Sequence, residues 1–139
     1  MAYRIRILPE HDLAYFRYSG TASIDDYLAV VDQYPRHPDF RLGQKNLVDL
    51  TRLEDIERDY ARILELQARI AGFVQSTQND IFSVIVAPSA IAQEASQIVL
   101  RSWEELNARV VRRMVRNMEE AAVLLGISPA ALAPLFEED

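Results

Sequence analysis

The chain contains no cysteine. That excludes disulfides, thiolate nucleophiles and cysteine-based zinc or iron–sulfur centres. Histidine is scarce as well: His11 and His37 are the only two, each beside a turn signal. Four glycines are too few and too scattered for a G-x-G-x-x-G or P-loop phosphate cradle. No apolar run is long enough to span a bilayer. The opening "MAYRIRILPE" lacks the apolar core of a signal peptide. These features together predict a soluble cytoplasmic protein. Basic charge is also short: 15 Lys and Arg stand against 21 Asp and Glu, a formal net charge of −6. Phosphate backbones and anionic membranes need clustered cations, so nucleic acid and membrane surfaces are poor partners for it. The one basic run, "RVVRRMVR" (109–116), reads as a polar strand face.

What is present is enough for one core. In 139 residues, 50% are hydrophobic and 26% charged. That is the balance and the length of a single globular domain, 1–139, with no linker and no internal repeat.

"YRIRIL" (3–8) alternates apolar and basic residues as a half-buried strand does. The turn cluster "PEHD" follows, then the aromatic "LAYFRYSG" (13–20), which predicts an antiparallel hairpin. "SIDDYLAVVDQY" (23–34) opens on a capping signature, Ser23 with Asp26, and Ile24, Tyr27, Leu28, Val31 and Tyr34 fall on one helical face. Pro35 and Pro38 stop it. "NLVDL" (46–50) reads as a short strand and the acidic residues after it as a loop. "RDYARILELQARIAGFV" (58–74) has the stripe of an amphipathic helix. "IFSVIVA" (81–87) is a strand covered on both faces. A helix capped by Ser89 follows. Residues 108–115 fit either an edge strand or a continuation of that helix, since no Gly or Pro intervenes. Asn117 starts another helix and Gly126 ends it; Ser128 and Pro129 open a short turn (128–132), and "FEED" reads as a tail.

Strands alternating with helices after a hairpin predict an α/β fold with one mostly parallel sheet and right-handed crossovers. The sheet has five strands, or four if 108–115 is helical. Because "IFSVIVA" is apolar on both sides, the outer sheet face is expected to be covered or self-associating, as in a homodimer. Arg4, Arg6 and Arg17 would make the first two strands tolerable in water.

Three stretches carry a resemblance: "LVDLTRL", "VIVAPSAIAQEASQI" and "VRNMEEAAVLLGI". With the hairpin-helix opening they resemble small bacterial proteins related to STAS domains, the fold of anti-sigma-factor antagonists and of the cytoplasmic ends of sulfate transporters. The resemblance covers roughly residues 3–127. It implies strands in near-sequential order, helices mainly on one face, and the strand reading of 108–115. Regulatory STAS domains are phosphorylated on a serine at the start of the second helix. Laid on "LVDLTRL", that position falls near Arg58 and Asp59, and no hydroxyl residue occurs from Arg52 to Asp59. Thr51 is the only one nearby, so the phospho-switch does not carry over.

In open α/β sheets, ligands bind beyond the carboxyl ends of the strands. That places the acidic loop (Asp49, Thr51, Glu54, Asp55 and Asp59) beside Ser89 as the candidate ligand or partner surface. As a metal site the loop fails the EF-hand pattern and has arginines at Arg52 and Arg58 to neutralise it. Ser89 lacks the glycines of a nucleophile elbow and any histidine partner. The sequence therefore names no catalytic residue, metal or cofactor. It favours a non-catalytic STAS-like regulatory domain that binds a protein partner or itself. The alternative is a carrier of a small apolar ligand or lipid. An enzyme using the acidic loop is the least favoured reading.

Overall fold

Alternation in "YRIRIL" does produce a hairpin. β1 (Tyr3–Leu8) pairs antiparallel with β2 (Leu13–Ala22), Leu8 opposite Leu13 and Tyr3 opposite Tyr18. The computed structural model describes residues 2–59, 61–66, 68–69, 81–105 and 110–138. The elements that follow are α1 (Ile24–Gln33), β3 (Lys45–Ile56), a helical stretch α2 over 61–66 and 68–69, β4 (Ile81–Val86), α3 (Ala90–Glu105), β5 (Val110–Val115), α4 (Met118–Leu125) and α5 (Pro129–Glu137). Residues 60, 67 and 70–74 of the helix expected over 58–74 lie outside the described residues, as do 108–109. The strand reading of the segment after α3 holds from Val110.

β1 to β5 stand side by side in chain order, and every pair after the hairpin is parallel. The fold is α/β with a five-stranded mixed sheet. Right-handed crossovers in one direction put their helices on one face. Val30 of α1 and Ala92 of α3 pack there with Phe16, Tyr18, Leu50, Leu53 and Ile85. α2 joins them through ion pairs to α1, Arg62 with Asp25 and Arg69 with Asp32. The opposite face is covered within the chain. Ala121, Leu125, Leu132 and Leu135 of α4 and α5 pack on Leu13, Tyr15, Leu47, Val84 and Val86. Strand β4 is thus buried on both sides, as its unbroken apolar run requires.

The start of α1 follows its sequence closely. Ser23 Oγ accepts from the Asp26 amide at 3.0 Å, and Asp26 accepts from the Ser23 amide at 3.0 Å. Replacing Ser23 by alanine should cost about 1 kcal/mol of unfolding free energy, read from the urea midpoint.

Two segments differ from their sequence reading. The acidic stretch is not a loop: β3 runs on through Thr51 to Ile56, pairing Leu53 with Gly20 and Ile56 with Ala22 of β2. The pairing survives because the register shifts twice, between Arg17 and Ser19 and between Gly20 and Thr21. Gly20 absorbs the irregularity at φ +66°, a left-handed conformation that costs other residues a Cβ clash. Leu53 is buried while Glu54 and Asp55 face water, a strand pattern hidden by the acids. The second difference is at "FEED". Helix α5 continues to Glu137, and its carboxyl end is held by arginines from the sheet. Arg17, read as a solubilising residue, is buried at 5% exposure.

Candidate functional site

Asp49 is the last β3 residue paired to β4, opposite Arg17 of β2 on one side and Val86 on the other. Strand alternation turns it toward α5. Its carboxylate has no exposed surface. It accepts from the Tyr15 hydroxyl at 2.5 Å, the Thr51 amide at 2.9 Å and the Thr51 hydroxyl at 2.6 Å. Burial pushes the Tyr15 phenol far above its ordinary pKa; the Asp49 charge adds to the rise, and Arg17 opposes it. A general base must reach a substrate proton. Asp49 instead spends its oxygens on three donors inside the fold.

The other candidate residues spread along the rim. Thr51, Glu54 and Asp55 are exposed on the part of β3 beyond its pairing with β4. Asp55 pairs with Arg58 at 3.3 Å, and Arg58 reaches Glu94 of α3 at 2.8 Å. Asp59 accepts from the Arg62 amide at 3.3 Å at the start of α2. Ser89 caps α3, its hydroxyl accepting from the Ala92 amide at 3.1 Å. Of the six residues named from sequence, only Asp49 and Thr51 are hydrogen-bonded to each other. Among the described residues no three His, Cys, Asp or Glu side chains converge as a metal-ion group.

No protein-family model and no curated protein matches the chain.

Sequence reasoning missed two features. The first is a polar row across the face under α1 and α3: Asn46 of β3, Ser83 of β4 and Arg112 of β5 stand in register. Ser96 of α3 is buried on that side of the molecule at 1% exposure. The Asn46 side-chain oxygen and the Ser96 hydroxyl are buried without a hydrogen-bond partner among the described residues. Arg112 lies within hydrogen-bonding reach of Tyr27, which stacks on Tyr18 with ring centroids 6.0 Å apart. Burial lowers the Arg112 pKa, with the two tyrosines opposing. A polar residue inside an apolar strand, such as Ser83 in "IFSVIV", is the signal that was available. An unsatisfied buried hydroxyl costs free energy, and alanine is the better helix former. Ser96→Ala should therefore raise unfolding free energy by about 1–2 kcal/mol, read as a higher urea midpoint.

The second missed feature is the arginine cluster around α5. Arg17 donates to the Glu138 carbonyl at 2.5 Å and Arg52 to the Phe136 carbonyl at 2.8 Å. Arg4 and Arg6 reach the Glu138 carboxylate at 3.3 and 3.4 Å. Tyr15 meets Phe136 edge-on at 5.6 Å. Its signal in sequence was the arginines of the first two strands, which short-range patterning assigns to solvent.

Proposed function

We propose that this chain is a non-catalytic regulatory or interaction domain of the STAS-like kind, lacking the phosphorylatable serine, and that the rim of β3 is its partner surface. One observation carries the reading. The polar groups at the carboxyl ends of the strands are engaged in holding the fold, while Thr51, Glu54 and Asp55 project from a strand arm that outruns β4. An exposed, acid-lined strand edge suits a basic partner segment better than a reactive centre. The strand order in chain sequence also agrees with what the resemblance implies. The test is native mass spectrometry of the protein purified from its own host. A stoichiometric protein partner that is lost from the Glu54→Lys, Asp55→Lys variant supports the reading; a partner that survives both changes overturns the rim as its site.

A second reading, a small-ligand carrier, rests on the polar row. The buried atoms of Asn46 and Ser96 that lack partners among the described residues, on the side of the sheet that also carries the Arg112–Tyr27 contact, would suit the polar head of a ligand under α1 and α3. A small molecule retained in the native spectrum, and lost on Arg112→Leu, would favour it.

A further inference from the structure

A cavity lies at the amino ends of β3 and β4, between the sheet and the loop that follows α1. It has a volume of about 210 Å³, its open mouth included. Its walls are largely apolar: Tyr34, Phe40, Leu42 and Ile81. The aromatic wall is held by its own packing, with Tyr34 edge-on to Phe40 at 4.8 Å and to Phe16 at 5.0 Å. Leu42 lines the cavity while 53% exposed, which puts it on the open side. The polar residues of the lining are unequal. Arg41 is ion-paired with Asp12 at 3.0 Å. Gln44 accepts from the Tyr34 hydroxyl at 2.6 Å and donates to the Asp39 carbonyl at 3.3 Å. Asn46 differs from both. Its side-chain oxygen is buried and has no hydrogen-bond partner among the described residues. A buried acceptor costs free energy until a donor reaches it.

We propose that this cavity is a binding site for a small neutral molecule that joins an apolar body to one hydrogen-bond donor, of which an aliphatic alcohol is the simplest form. The donor answers Asn46 Oδ1, which can only accept. The apolar body answers Phe40, Leu42, Ile81 and the ring of Tyr34, whose hydroxyl is already given to Gln44. Neutrality follows from the charges at hand. No carboxylate lines the cavity, and Arg41 is engaged by Asp12. An ion entering it would lose hydration without gaining a counter-charge. The ligand hydroxyl donates to Asn46 at the buried end, and the alkyl chain runs out toward Leu42. The site shares Asn46 with the carrier reading but needs neither Ser96 nor Arg112, so the native spectrum of Arg112→Leu bears on that reading alone. It lies at the opposite end of β3 from the proposed partner rim.

Titration of the isotope-labelled protein with 1-butanol, followed by amide NMR, tests this. The backbone amides of Gln44 and Asn46 and the Asn46 side-chain amide should shift together and saturate, with a Kd on the order of 10 mM. Ethanol should bind about tenfold more weakly, because it buries two fewer methylenes. 2-Butanone has the same size but no donor, and should bind about tenfold more weakly than 1-butanol as well. Asn46→Leu keeps the side-chain shape and removes the acceptor, and should lose the preference for butanol over butanone. That comparison can be made on the unaltered protein, so the test does not depend on the variant folding. Shifts at these amides that never saturate would leave the cavity to water and overturn the proposal. Butanone bound as tightly as butanol would overturn the donor, and equal binding of ethanol and butanol would overturn the apolar body.

Discussion

Unfolding free energy should fall steeply once the pH passes about 10. Tyr15, Tyr18 and Tyr34 are buried, at 0%, 6% and 8% exposure, and burial is the first cause of a raised phenolic pKa in each. Carboxylate neighbours add to it: Asp49 at Tyr15, Asp26 at Tyr18, Asp12 at Tyr34. The folded chain keeps these protons where the unfolded chain releases them. The stability they carry is complete below about pH 10 and is lost above it. Each such proton contributes about 1.4 kcal/mol per pH unit, so three give a slope of about 4 kcal/mol per unit. Urea denaturation at pH 9, 10 and 11 measures the slope. Tyr34→Phe should flatten the slope by about a third. A stability that stays level from pH 9 to 11 would refute the assignment.

Replacing Asp49 should cost nearly as much at neutral pH. Asp49→Ala leaves the Tyr15 hydroxyl without its acceptor and takes a negative charge from the neighbourhood of buried Arg17. Breaking a buried charged network by removing one member costs about 3–5 kcal/mol. Asp49→Asn keeps the shape and one acceptor oxygen, and should lose less. Tyr15→Phe alone should cost about 1–3 kcal/mol, and much less when Asp49 is already alanine, because the two share one hydrogen bond. A loss below about 1 kcal/mol for Asp49→Ala would mean that the network contributes little, as exposed ion pairs do.

The ease with which each part could be read from sequence follows the range of its signal. The cap of α1, the Gly126 stop of α4 and the alternation of β1 are decided within a few residues, and each stands where its pattern placed it. The outer half of β3 is decided by β2, about thirty residues earlier in the chain, through two register shifts that no local pattern shows. Asp49 could be named but not understood, because its burial depends on Tyr15, 34 positions away. Helix α5 was hidden by the same effect at greater distance. Its acidic end looks solvated until Arg17, 121 positions away, is seen beside it. Charged residues misled most, since pattern reading assigns them to water and here a distant partner keeps them inside.

Strand order also bears on how the chain assembles during synthesis. The strands leave the ribosome in the order in which they stand in the sheet, so each new one finds its neighbour already present. The cover for the second face arrives only with α4 and α5, after every strand. Until then Leu13, Leu47, Val84 and Val86 lie bare, and Arg4 and Arg17 repel across the hairpin. A nascent chain stalled after β5 holds a complete sheet with one sticky side, the species for which a chaperone would compete.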